Sequence, residues 1–319
     1  MNSRQRKSVG YWLFLCAGML TESGLSMVNW DLFRSMKPPL SQKEWEEEFE
    51  RYKNYPEYKY KCSSEEMTLS QFKFIWHMEY GHRMWGRLTG VIFLLPCIYF
   101  WARGYFPATM KRRMVIAAAL MLAQGGIGWW MVKSGLDPSH NSEASVPRVS
   151  QYRLATHLTI AFLLYSLFFY NGISHFIYPQ AQVSNTLFTF YCRNMFFCDY
   201  SAGKTSKLSA TSWVVAQLQS IGVFYRIYGS VCCWAGRWAY LTLLTITATW
   251  VVGCRAGLPR RARFVLHSTM AMGYIQAALG IYALLYYVPV WLGSLHQCGS
   301  MALLSFTLWL TNELRRVPK

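Results

Sequence analysis

Three histidines and one glutamate are the residues of this chain best suited to chemistry. The chain has seven histidines, and His82, His157 and His296 lie within or at the edge of apolar runs long enough to cross a bilayer. Ionisable side chains in such runs are costly and rare, which marks them as functional candidates. Because neutral imidazole is a common ligand for iron and other metals, these histidines predict binding of a metal or a metal cofactor.

The glutamate is Glu79, which stands three residues before His82. On a helix this spacing puts both side chains on one face. A carboxylate there could orient the histidine, transfer a proton, or simply pair with Arg83 or Arg87. The pattern alone leaves these roles open.

The apolar runs that carry these residues indicate the fold class. The chain is 53% hydrophobic and 15% charged, whereas a soluble domain is roughly 25% charged. A helix bundle is favoured in lipid because each helix satisfies its own backbone hydrogen bonds. Six runs are close to the ~20 residues of a spanning helix: Met84–Ala102, Met114–Val132, Leu154–Phe176, Trp238–Cys254, Phe264–Val290 and Leu292–Thr311.

The net charge of +17 is carried largely by short loops between these runs. This distribution indicates orientation in a membrane rather than nucleic-acid binding. Basic residues and no acidic ones stand in the loops Arg103–Arg113 and Arg255–Arg263. The C-terminal tail that follows Glu313 is likewise basic and contains no acidic residue. The positive-inside rule therefore places all three on one side. His82, His157 and His296 would then lie at similar depth, near the outer ends of three parallel, inward-running helices.

Two further spans are weak. Parity requires one more crossing between Pro179 and Trp238, and the only candidate is a polar-interrupted stretch around Ser212–Trp234. The N-terminal run Val9–Leu20 is too short to span alone, and the basic residues before it fit part of a mitochondrial presequence. We therefore expect an all-α polytopic bundle of about seven to eight transmembrane helices, with atypical first and fifth spans.

The polar outer loop from Thr21 to His77 contains one amphipathic pattern. Trp45, Phe49 and Tyr52 recur at helical spacing among glutamates. This pattern predicts a surface helix. We favour a solvated helix, and a lid or membrane-interface role stays open.

The two halves of the chain echo each other. Gln124–Gly128 and Ala277–Gly280 are both rich in small residues that allow close helix approach. Each stretch belongs to a glutamine-containing outward span that precedes a histidine-bearing inward span. The echo hints at an internal duplication.

Several short motifs together resemble the haem A synthases of the mitochondrial type. The resemblance covers about residues 19–179 and 237–319. The motifs that carry it are Leu20–Met27, Met36–Pro39, Glu79–Arg83, Ser134–Pro138, Tyr152–His157, Leu295–Ser300 and Asn312–Lys319.

The resemblance implies two four-helix halves in the mitochondrial inner membrane, each with a haem site built from a histidine pair. The family oxidises a ring methyl of haem O to the formyl group of haem A for cytochrome oxidase assembly. By resemblance, His82 and His157 hold the substrate haem through its iron, Glu79 is the catalytic carboxylate, and His296 binds the iron of the haem B cofactor.

The implied organisation has five segments and several partners. Residues 1–20 would be a truncated N-terminal segment and 21–77 the outer-face loop. Residues 78–180 would hold the substrate haem, 181–235 would be atypical, and 236–319 would hold the cofactor haem. The implied partners are haem O, membrane lipid, an unidentified electron-transfer partner, haem O synthase and cytochrome oxidase assembly factors, but no nucleic acid.

The sequence departs from the family in three places. The first span is cut to Val9–Leu20, and 181–235 does not resemble the family's fifth span. An Asp-His-Arg is expected just before Trp238, but Gly236 stands where the histidine would be. The second ligand of the C-terminal pair is then missing, which puts cofactor binding and activity of this chain in question.

Three function classes therefore remain open. The first is haem A synthase, or a defective, non-catalytic form of it. The second is a haem-binding electron-transfer cytochrome without substrate chemistry. The third is a transporter or a non-catalytic assembly factor that binds no haem.

Overall fold

The computed structural model describes residues 25–27, 37–55, 58, 67–136, 149–178, 230–287 and 289–314. These residues form helices and no strand, which confirms the all-α class. The helices are α1 (Gln42–Lys53), α2 (Leu69–Ala102), α3 (Ala108–Leu136), α4 (Gln151–Phe176), α5 (Ser230–Arg255), α6 (Arg260–Leu285) and α7 (Val290–Leu314). The chain divides into two compact units, Met1–His157 and Leu158–Lys319.

Among the described residues, four helices are long and apolar enough to cross a membrane, namely α2, α3, α6 and the Tyr152–Phe176 part of α4. In α5 the apolar stretch Ala239–Arg255 is shorter. Val91, Ile92 and Leu95 on α2 are exposed, as expected where a helix faces lipid. The polytopic helical class is confirmed, while Val9–Leu20 and most of Ser212–Trp234 lie outside the described residues.

All six helices α2 to α7 begin before their predicted apolar runs, and one of them also ends before its run does. Helix α2 begins at Leu69, well before Met84, because Thr68 and Gln71 form a capping box that starts a helix there. The predicted run Phe264–Val290 is wrong at its C-terminal end. Helix α6 stops at Leu285, and Tyr287 adopts a left-handed φ of 56°, which breaks the helical path.

In the first unit, α1 packs against the early turns of α2. Trp45 and Tyr52 are buried with Phe72 and Trp76, and the ring centroids of Trp45 and Trp76 are 5.0 Å apart. The predicted amphipathic helix is confirmed, but α2 covers its aromatic face. The Leu40 N–H donates to Glu44 and lowers the pKa of that carboxyl, which favours a negative charge at the α1 N-terminus.

In the second unit, α5, α6 and α7 enclose a core that includes Ile246, Val265, Leu266 and Leu310. A buried ion pair fastens the start of α6 to the end of α7. Arg261 donates to Glu313 at 2.6 Å, and Glu313 is completely buried. The arginine loop before α6 and the C-terminal end of α7 therefore lie at the same end of this unit, as the charge pattern predicts.

Candidate functional site

Helix α2 supplies the candidate carboxylate and the first candidate histidine. Glu79 is 8% exposed, whereas the His82 side chain is exposed. The capping box at Thr68 extends α2 beyond the apolar run, so Glu79 lies inside a continuous helix rather than at its frayed start. Both side chains are therefore held on rigid backbone.

The carboxylate of Glu79 is held by three donors. Its Oε2 accepts from the Ser26 hydroxyl at 2.7 Å and from the Met27 N–H at 2.9 Å. Its Oε1 accepts from Arg83 at 2.6 Å, and Arg83 also donates to the Met27 carbonyl. An ion pair is how a buried carboxylate is tolerated in an apolar setting.

This network settles one of the alternatives from the sequence. Glu79 pairs with Arg83, while Arg87 contacts the Met84 sulfur at 3.3 Å. The sequence did not single out Ser26 and Met27 as partners of Glu79. Their only signal was membership of the Leu20–Met27 motif.

Helix α4 brings His157 to His82. The two ring centroids are 6.4 Å apart and the ring planes are inclined by 53°. Two imidazoles on opposite sides of one metal ion have centroids roughly 6 Å apart, given metal–nitrogen bonds of about 2 Å. The topology predicted only that His82 and His157 share a depth in the membrane. The structure places the two rings next to each other, at a centroid distance that is compatible with one metal between them.

The donor set is suited to haem iron rather than a bare ion. The described residues contain no group of three or more His, Cys, Asp or Glu side chains that could hold a metal. A porphyrin supplies the remaining ligands itself and needs only axial side chains from the protein. His157 Nδ1 is buried without a hydrogen-bond partner, which leaves a donor atom available for such an iron.

The second unit contains the third candidate histidine. His296 on α7 lies beside Gln276 of α6, whose amide nitrogen is 3.1 Å from its Nδ1 and 3.3 Å from its Nε2. Gly236 lies within α5, so that helix offers no imidazole at the position where the family resemblance expects one. The shared layer predicted for all three histidines remains a prediction, because the two units are described separately.

Two other histidines have local partners. His267 Nδ1 accepts from the Trp250 indole N–H at 2.8 Å. His77 stacks on Trp45 of α1, with ring centroids 5.2 Å apart.

Comparison with known proteins covers nearly the whole chain. The chain is 40% identical to the human protein named Heme A synthase COX15, over 98% of this chain and 83% of that protein. It is 34% identical to the protein of the same name from Saccharomyces cerevisiae, over 97% of this chain and 76% of that one. The Heme A synthase of Paramagnetospirillum magneticum is also 34% identical, over 97% and 94% of the two chains. No solved structure matches.

The family model that matches is COX15-CtaA, described as cytochrome oxidase assembly protein. It matches residues 17–197 and 236–308. The unmatched stretch between them falls within the segment 181–235 that the sequence marks as atypical. Since the two matched ranges cover most of the 319 residues, the chain belongs to the cytochrome oxidase assembly protein family.

Proposed function

We propose that this chain is a haem A synthase of the mitochondrial inner membrane, where it oxidises the ring methyl of haem O to the formyl group of haem A. The observation that carries the proposal is that the ring centroids of His82 and His157 lie 6.4 Å apart, with the buried carboxylate of Glu79 three residues before His82 on the same helix. Relatives at 40% identity bear the name Heme A synthase. Haem A would serve cytochrome oxidase assembly.

The proposed substrate site is built from α2 and α4. His82 and His157 would hold haem O through its iron. Because both histidines lie on long helices, they would fix the position of the substrate relative to α2, and a misplaced reacting group costs rate steeply.

Glu79 would handle protons at that site. With water as the oxygen source, conversion of a methyl to a formyl group consumes one water and releases four protons and four electrons, and the electrons pass to the unidentified electron-transfer partner. A carboxylate one helical turn from His82 can accept such protons or stabilise positive charge developing at the carbon. Ser26, Met27 and Arg83 fix its orientation in advance, so it need not reorganise during the reaction.

The second unit would hold the cofactor through His296. Haem B, when bound there, supplies electron transfer, and an unidentified partner must finally take the electrons. Position 236 carries glycine where the family resemblance implies a second histidine ligand, and this is the reason to keep an alternative. With one histidine ligand, the chain could be an electron-transfer cytochrome or a non-catalytic form of the synthase.

The decisive experiment is complementation in a host that makes haem O but lacks its own haem A synthase. Extracted haems are separated by chromatography, and purified protein is examined by absorption spectroscopy. The proposal expects haem A in the extract and a haem spectrum from the protein. A protein that has a haem absorption spectrum but yields no haem A supports the electron-transfer cytochrome or the non-catalytic form of the synthase. A colourless protein from haem-replete cells supports a transporter or assembly factor.

A further inference from the structure

A glutamine and a glycine one helical turn apart recur beside a histidine in both units. In the first unit they are Gln124 and Gly128 of α3, next to His157 of α4. In the second they are Gln276 and Gly280 of α6, next to His296 of α7. Residues four apart lie on one helix face, so each pair forms a seat for an imidazole from the next helix.

The seat in the first unit is tight. The Gln124 amide nitrogen lies 3.2 Å from His157 Nε2. A Cβ built on Gly128 would lie 3.0 Å from His157 Cε1, so the ring rests against bare helix backbone. Two buried polar atoms there have no hydrogen-bond partner, namely His157 Nδ1 and Gln124 Oε1.

The seat in the second unit repeats this arrangement with more anchoring. The Gln276 amide nitrogen contacts both ring nitrogens of His296 and also donates to the His296 carbonyl at 2.9 Å and to Ser300 Oγ at 2.6 Å. A Cβ on Gly280 would lie 3.1 Å from His296 Cε1, and one on Gly299 would overlap Gln276 Oε1. Gln276 Oε1 is again buried without a partner.

These unpartnered amide oxygens point to a ligand-bound state. When an imidazole binds iron through one nitrogen, its other nitrogen carries a hydrogen that needs an acceptor. The terminal torsion of glutamine is broad, so a rotation of the Gln124 amide brings Oε1 to that N–H. For Gln276 the same rotation gives up the donation to the His296 carbonyl and needs the Ser300 hydroxyl to turn toward Oε1. Both glutamines thus have the acceptor that the ring would require, and both keep it unused here.

We propose that Gln124 and Gln276 are positioning residues that set the ring orientation and basicity of His157 and His296, each over its seat glycine. This inference rests on the proposed function, because it acts on haem iron bound by those histidines. Neither glutamine needs to touch the reacting atoms. An acceptor on the ring N–H makes the imidazole a stronger donor and stabilises ferric iron, so its loss raises the midpoint potential.

The test uses full-length holoprotein purified from haem-replete cells, with Gln124→Leu, Gln276→Leu and the matching Gln→Glu variants. Each haem is identified by its loss in His157→Ala or His296→Ala. Each Leu variant is expected to raise the midpoint potential of its own haem and to release that haem about 10- to 100-fold faster. The Glu variants retain an acceptor oxygen, so their potentials are expected at or below that of the unaltered protein.

Matched controls separate positioning from packing. Thr269→Val removes a buried hydroxyl on α6 that bonds only its own helix in the described contacts. Gly273→Ala crowds Ile246 at 3.0 Å but not His296, whereas Gly280→Ala crowds the ring. On α3, Gly126 has nothing within 4 Å of a built Cβ and serves as the control for Gly128→Ala. Only the seat variants are expected to change the electron paramagnetic resonance spectrum.

The outcomes distinguish this inference from the proposed function. Unaltered protein without haem would overturn both. Haem-loaded protein whose Leu variants keep the original potentials and spectra overturns the inference alone. The inference is also overturned if the Leu and Glu variants of one glutamine shift the midpoint potential in the same direction by the same amount. Loss of the side chain's shape, rather than loss of an acceptor, would then explain both shifts.

Discussion

The two units of the chain share a histidine seat but differ in what they place around it. The first unit adds a second imidazole, His82, and a buried carboxylate, Glu79, three residues away. The second unit holds His296 through a more heavily anchored glutamine and has no histidine at position 236. The same seat thus accompanies a histidine pair and a buried carboxylate in the first unit, where we propose proton chemistry, and the proposed ligand His296 in the second.

Each unit also has a buried glutamate paired with arginine at 2.6 Å. Glu79 lies three residues from His82, whereas Glu313 lies seventeen residues beyond His296 on α7, about 25 Å at the helical rise. The role proposed for Glu79 depends on the residues around its ion pair, not on the pair itself. Glu313 joins α7 to α6, whereas Glu79 joins Ser26 and Met27 to α2, three residues before His82.

The largest expected effect comes from removing one histidine at a time. His157→Ala is expected to abolish haem A production and binding of haem O, because the pair with His82 is broken. His296→Ala is expected to remove only the second haem while haem O remains bound. Haem extraction from the purified variants measures both. Loss of both haems from either variant would contradict the separation of the two sites.

The next largest effects are expected from substitution of Glu79 and Glu313, the two buried glutamates that pair with arginine. Glu79→Gln is expected to lower the rate of haem O oxidation by about 10²- to 10⁴-fold, the range for a lost acid–base group, with haem O or an alcohol intermediate accumulating. Glu313→Gln is expected to lower stability by about 1–3 kcal/mol, since it removes the buried charge that Arg261 and Trp309 donate to, while Arg261 is partly exposed and keeps the Tyr178 carbonyl. Product analysis and thermal unfolding in detergent measure the two effects.

Arg83→Gln is the control for the first of these variants. It removes the partner of Glu79 but keeps the carboxylate. If Arg83→Gln and Glu79→Gln lower the rate equally without product intermediates, the ion pair alone matters and Glu79 has no proton role. Normal production of haem A by the Glu79→Gln variant would exclude Glu79 from the mechanism.

Gly236→His is designed to make the second unit resemble the first. We expect a change in the spectrum of the second haem toward two-imidazole ligation and slower loss of that haem. Gly236→Ala is the matched control, because it adds a Cβ without a ligand. An identical spectrum from both variants would show that position 236 does not face the iron bound by His296.

The smallest expected effect is that of Ser300→Ala. Ser300 Oγ anchors the Gln276 amide at 2.6 Å. Ser300 Oγ also donates to the His296 carbonyl at 3.0 Å. A hydrogen bond is worth about 1 kcal/mol, so loss of these two is expected to give a modest increase in haem release from the second unit. Haem release from the first unit should stay unchanged, which dissociation kinetics can check. An effect on both haems would contradict local anchoring.

The sequence selected the candidate residues, but not their contacts. His82 and His157 were selected because ionisable residues in apolar runs are rare, and Glu79 because it stands three residues before His82. Parallel helices predicted a shared depth for the histidines, not ring centroids 6.4 Å apart, and the roles of these residues stay predictions. The contacts of Glu79 with Ser26 and Met27 were not predicted, because more than fifty residues separate them in the chain. The early start of α2 was missed because the predicted run followed hydropathy, whereas the helix follows the Thr68 capping box.

The sequence by itself determined the membrane class, the apolar helices and the identity of the polar residues within them, because hydropathy and charge act locally along the chain. Only the tertiary structure decided which polar atoms meet: the partners of Glu79, the face of α1 that α2 covers, and the glycine seats beneath two imidazoles. Those contacts depend on distances of a few ångströms between helices that are remote in sequence, and residue spacing does not encode such distances.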